Sequence, residues 1–130
     1  MAVTMRNIVG RNATTTAIAG ETYNLSLGGA AAAATVGVAV NVSLFITDII
    51  TFSSVVINWR LQRSDDNATF FDLQLWRHAA DGTIAFLALR TPHHIIGGAN
   101  VVIRVQVLGA AADVNAVGTT GITLRGYTTP

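Results

Sequence analysis

A period of two runs through almost the whole chain, and it restricts the fold more than any other feature. Val101, Ile103, Val105 and Val107 alternate with Val102, Arg104, Gln106 and Leu108. Val55, Ile57, Trp59 and Leu61 alternate with Val56, Asn58, Arg60 and Gln62. Successive side chains of an extended strand point to opposite faces, so each run reads as a strand with one face buried. No helical period is sustained anywhere.

The same pattern places the other strands. Thr22 to Leu27 puts Tyr23, Leu25 and Leu27 on one face. Val36, Val38, Val40, Val42, Leu44 and Ile46 form a long alternating run, read as one strand. Phe71, Leu73 and Leu75 share a face, with Asp72, Gln74, Trp76 and His78 opposite. The polar turn Ser64-Asp65-Asp66-Asn67-Ala68 joins this strand to the one before it and sets Trp59 near Leu73. After the turn Ala79-Ala80-Asp81-Gly82, Thr83 to Thr91 is a strand closed by Pro92, which cannot donate to a central ladder. Gly97-Gly98-Ala99-Asn100 is a further turn. Gly121 to Tyr127 is the last strand, with Ile122 and Leu124 inward against Thr123 and Arg125. The five alanines after Gly28-Gly29 allow a short helical turn at most. The expected fold is all-β, a two-sheet sandwich or jelly roll of about eight antiparallel strands. Residues 1–20 are expected to be an N-terminal arm or edge strand, and residues 21–130 a single β-sandwich domain.

Composition then limits what such a sandwich does. The chain has 130 residues, with eight basic and seven acidic side chains; every basic one is arginine, and cysteine is absent. A free-standing soluble domain presents a surface that is roughly 25–35% charged. So few charges leave long uncharged stretches, which suits a chain that meets other protein. A net charge of +1 offers nucleic acid no basic face. Without cysteine there are no disulfides or thiolate metal sites. Met1 to Gly10 is not read as a secretory leader, since Arg6 stands where the apolar run would begin. The apolar stretch Ala30 to Ile46 approaches membrane-spanning length, but its alternation and β-branched residues favour a strand, so no membrane partner is expected.

Catalytic patterns are weak. His93 and His94 are neighbours, so on a strand they point to opposite faces and cannot share one metal ion. They are read as part of a loop after Pro92. Asp65-Asp66 sits in a turn, where aspartates are usual turn-formers. There is no Gly-x-Ser-x-Gly elbow, and the Gly-Gly pairs lack the strand–loop–helix setting of a phosphate loop. The chain is expected to be no enzyme and to use no cofactor.

Two kinds of surface residue invite a binding role. Trp76, Tyr23 and Tyr127 are conceivable sugar-stacking platforms, although an outward Trp76 also suits a sheet cap. Arg60, Arg104 and Arg125 fall on outward strand faces. Arginine is favoured at protein interfaces because its planar fork binds carboxylates and is weakly hydrated. With Arg6, Arg11 and Tyr127, these arginines are the interface candidates.

The weakly patterned Met1–Gly20 segment, the Val55–Arg77 hairpin and the Thr128-Thr129-Pro130 tail sit in a small alanine-, valine- and threonine-rich all-β chain. In length and strand pattern, the whole chain resembles the jelly-roll cement (decoration) proteins of tailed-bacteriophage heads. The resemblance implies a non-catalytic virion structural protein on the outer capsid surface, assembled in the host cytoplasm. It would cement neighbouring major capsid subunits. Its implied partners are the major capsid protein and copies of itself, as a homodimer or homotrimer. The alternative is a carbohydrate-binding β-sandwich module of a phage fibre or lectin.

Overall fold

A computed structural model describes residues 3–11, 21–28, 31–53, 56–78, 84–110 and 120–130, with backbone only at 109 and 110. Among them run nine strands. They are β1 (Thr4–Arg11), β2 (Asn24–Leu27), β3 (Val36–Gly37), β4 (Ser43–Phe52), β5 (Ile57–Ser64), β6 (Phe71–His78), β7 (Ile84–Ile96), β8 (Val102–Ala110) and β9 (Gly121–Thr129). All pair antiparallel, in a five-stranded sheet ordered β2-β1-β9-β4-β7 and a four-stranded sheet ordered β3-β8-β5-β6.

This wiring is a jelly roll. Leaving β2 aside, the first strand pairs with the last, the second with the next to last, and so inward: β1 with β9, β3 with β8, β4 with β7 and β5 with β6. A long hairpin rolled around a core gives this order. Thr4–Arg11, expected as an arm or edge strand, form β1 between β2 and β9. Residues 12–20 lie outside the described residues, as do the turn at 79–82 and most of the connection between β8 and β9.

The alternation does the work the sequence implies. Ile57, Trp59 and Leu61 of β5 are fully buried, as are Ile103, Val105 and Val107 of β8. Opposite them lie Ile8, Ile46, Ile49, Ile122 and Leu124 from the five-stranded sheet. At about 25 cal/mol per Å² of apolar surface removed from water, these side chains dominate the stabilisation.

One side of the sandwich is closed by a chain segment that serves both sheets. Tyr23 N donates to Val105 O at 2.9 Å and Val107 N to Glu21 O at 2.9 Å, so residues 21–23 run beside β8. Directly afterwards Asn24–Leu27 cross to pair with β1. The crossing carries Tyr23 into the core, where its ring meets Trp59 edge-on at 6.2 Å. Its hydroxyl lies 2.6 Å from Thr120 Oγ1. Burial pushes the Tyr23 pKa up, so the phenol stays neutral.

Four local expectations are corrected. The Val36–Ile46 alternation is two strands in different sheets, separated by a turn at Val40-Asn41 in which Asn41 takes φ 62°. A tight turn between sheets keeps Val36, Val38, Leu44 and Ile46 inward, so the pattern alone does not betray it. On β6, a bulge opposite Leu61/Gln62 leaves Leu73 between paired positions and flips the later residues. Trp59 therefore pairs with Trp76, not Leu73; Trp76 faces inward and Leu75 is exposed. Pro92 does not close its strand. β7 continues to Ile96 because the register slips there, Ile46 pairing with His93 and Asp48 with Ala88, and a bulge needs no donor from proline. His93 and His94 are accordingly strand residues. Finally, residues 31–35 form no helix; Ala33 instead bridges Leu25.

Candidate functional site

The two outward sheet faces differ in chemistry, and the difference follows from which residues occupy the outward half of each alternation. On the four-stranded sheet those are Asn58, Arg60 and Gln62 of β5 and Arg104 and Gln106 of β8. They satisfy one another. Arg60 Nη2 donates to Gln106 Oε1 at 2.7 Å, and Gln106 Nε2 to Thr22 Oγ1 at 2.9 Å. Arg104 Nε donates to Gln62 Oε1 at 2.8 Å, and Gln62 Nε2 to Asp72 Oδ1 at 2.9 Å. The Arg104 guanidinium lies 3.5 Å over the Phe70 ring. Burial, and then the nearby Arg60 charge, lower its pKa. The network is knitted so closely that Gln62 and Gln106 are buried although they point away from the core.

The five-stranded sheet turns out a largely apolar face, built as rows across β7-β4-β9-β1. One row is Phe86, Ile50, Thr123 and Val9. Another is His94, Phe45, Tyr127 and Met5; its first three rings are stacked, with centroids 4.2 and 4.8 Å apart. Ile84 (73% exposed), Phe86 (59%), Ile96 (61%) and Met5 (75%) stand open to solvent. Between the rows, Arg125 Nε pairs with Asp48 Oδ1 at 2.8 Å, and Thr47 Oγ1 donates to Asp48 Oδ2 at 2.8 Å. Those two charges cancel, and the Arg125 guanidinium lies 5.5 Å from the Phe86 ring centroid. Arg11 lies along Phe52, 5.1 Å from its centroid.

The interface candidates thus divide. Arg11, Arg125 and Tyr127 share the apolar face; Arg60 and Arg104 belong to the opposite, polar one. Arg6 is on neither: its Nε lies 3.4 Å from Thr128 Oγ1, beside a 160 Å³ apolar pocket between the sheets lined by Ile8, Leu27, Val36 and Leu44. Trp76 is half-buried: one face stacks on Trp59 with centroids 5.9 Å apart, and the residue lines the seam between β6 and β7. Tyr23 is buried. His93 points inward and His94 outward, as strand neighbours must. Among the described residues no group of three His, Cys, Asp or Glu is placed to hold a metal ion. No helix among them is long and apolar enough to cross a membrane.

Sequence reasoning missed Ile84, Phe86, Phe45 and His94 as surface features. A signal was present: Ile84-Ala85-Phe86-Leu87-Ala88-Leu89 has no polar residue on either face of its strand, so one apolar face has to be turned outward.

No family model, curated protein or solved structure matches the chain.

Proposed function

We propose that this chain is a non-catalytic virion structural protein that docks on the outer surface of a capsid and cements neighbouring major capsid subunits. The observation that carries the reading is the contrast between the two sheet faces. A hydrogen-bonded polar face suits permanent contact with water. A face of stacked rings and open aliphatic side chains, with its Arg125–Asp48 ion pair neutralised in place, suits contact with protein.

The size of that face fits the role. Strands lie ~4.8 Å apart and rise ~3.3 Å per residue, so five strands averaging about nine residues cover roughly 700 Å². A standard protein interface takes about 800 Å² from each partner. Contacts of that size, each modest, gain strength by repetition over a symmetric shell. The jelly-roll wiring is compatible with the reading but does not select it, since the same fold serves unrelated functions. The sugar-binding alternative is weakened by Trp76, whose ring is half-buried and stacked on Trp59 rather than standing free on a sheet face.

Co-sedimentation tests the proposal. Purified protein is mixed with capsids of the virus that encodes it and centrifuged through a cushion. Saturable recovery with the capsids is expected. Protein that stays in the supernatant at every ratio would contradict it.

A further inference from the structure

We propose that two copies of this chain join through β7, pairing Ile84–Ala88 antiparallel with the same segment of the second copy about a two-fold axis at Phe86.

Among the described residues the two sheets have four edges, and these are unequal. β2 has four residues and β3 two, and short edges are poor templates. β6 is interrupted by its bulge and carries Asp72 and Arg77. β7 has thirteen residues, and its first stretch keeps unbroken register with β4 from Ile84↔Phe52 to Ala88↔Asp48. No charge, proline or bulge protects that stretch, although these are the devices that normally blunt an edge. The protecting features, Arg90, Pro92 and the register slip, all fall after it.

The occupant is argued from the segment itself. With the axis at Phe86, Phe86 meets Phe86 of the second copy. Ile84 meets Ala88 on the outward face, and Ala85 meets Leu87 on the inward face. On either side of the axis large side chains oppose small ones, and parity holds outward residues against outward ones. The segment carries no charge, so like meets like without repulsion, and it offers no charge for a different partner to complement.

The flanking surface adds to the joint. β6 is the edge of the other sheet on the same side. The seam between β6 and β7 is an open groove of about 370 Å³ lined by Gln74, Leu75, Trp76, Ala85, Phe86 and Leu87. Leu75, 54% exposed, would be covered with Phe86. A two-fold axis normal to the sheet also aims both apolar faces the same way, making one ten-stranded surface of double area.

The inference does not rest on the capsid reading. A dimer that ignores capsids would remove the proposed function alone, and a monomer that binds capsids would remove this inference alone.

Sedimentation velocity with a charge swap tests it. The wild-type chain is expected to sediment at twice the monomer mass at about 50 µM, the range where an interface of micromolar affinity is filled. Phe86→Lys and Phe86→Asp each place like charges face to face, so each is expected to weaken the dimer at least ~100-fold. Mixed together, the two variants are expected to re-form it. Ala88→Arg, at an exposed position on the same face, supplies the test if either Phe86 variant fails to fold by circular dichroism. A monomeric wild type, a folded Phe86→Lys or Ala88→Arg variant that stays dimeric, or folded Phe86→Lys and Phe86→Asp that do not associate when mixed, would overturn the inference.

Discussion

His93 Nε2 lies 3.0 Å from Gln74 Oε1, and this bond clasps β7 of one sheet to β6 of the other. The imidazole reaches Gln74 because the bulge on β6 and the register slip on β7 turn both side chains inward. Burial lowers the His93 pKa below its usual 6.5. Folding therefore favours the neutral ring. The stability tied to it is complete above the unfolded value near 6.5 and is lost as pH falls through the lower folded value. Thermal melts between pH 7.5 and 5 should show a falling midpoint, and His93→Gln should shrink the fall. A midpoint that rises on acidification would contradict the assignment.

The turn after β5 makes a second acid-sensitive point. Asp66 Oδ1 accepts from Ala68 N at 2.9 Å, Thr69 N at 2.7 Å and Ser64 Oγ at 2.8 Å. Chiefly through the two backbone donors, its pKa falls from 3.8 to about 2. The carboxylate's contribution is present above the unfolded value of 3.8 and disappears as pH falls through about 2. Carboxyl-carbon NMR should follow Asp66 titrating near pH 2. A midpoint at the ordinary aspartate value would mean that the turn is not closed in solution.

Gly126 occupies the point where β9 passes the β4 irregularity. A Cβ there would collide with the Phe45 carbonyl oxygen, which is backbone and cannot swing aside. Gly126→Ala should cost at least ~3 kcal/mol, at the upper end of single-residue effects. Gly28 makes the contrast. It has φ 58° and open space around it, so Gly28→Ala should cost only about 1 kcal/mol, from backbone strain. Urea denaturation of both variants checks the order; equal losses would refute the close approach at Gly126.

Trp59 is fully buried at the centre of Tyr23, Trp76 and His78. Trp59→Ala should cost about 3–5 kcal/mol through the cavity it leaves. Trp76→Ala should also destabilise, and should not act as the loss of a surface ligand platform. Chemical denaturation measures both. A Trp76→Ala chain as stable as wild type would place that ring outside the core.

How far the sequence revealed this architecture depended on whether alternation was interrupted. β5, β8 and β9 were legible, since Trp59, Val105 and Leu124 fall in unbroken period-two runs. β3 and β4 merged into one reading because the Asn41 turn keeps Val38 and Leu44 on the same core. Leu73 was read correctly as packing on the core, but Gln74 to His78 of β6 were read with their faces exchanged, because a one-residue bulge at Leu73 depends on the partner strand and leaves no local trace. The outward direction of Arg60, Arg104 and Arg125 was legible. That Arg60 and Arg104 lie on one sheet and Arg125 on the other required the topology.

The absence of cysteine allows the most direct measurement. Thr123 lies in the middle of the apolar face, and Asn58 lies on the outward face of the other sheet. Single Thr123→Cys and Asn58→Cys variants can be labelled with a maleimide, free and in the presence of saturating capsids. The expected result is that capsids protect the cysteine at position 123 and leave the one at position 58 reactive. Protection at 58 with free labelling at 123 would contradict the assignment of the apolar face as the docking surface.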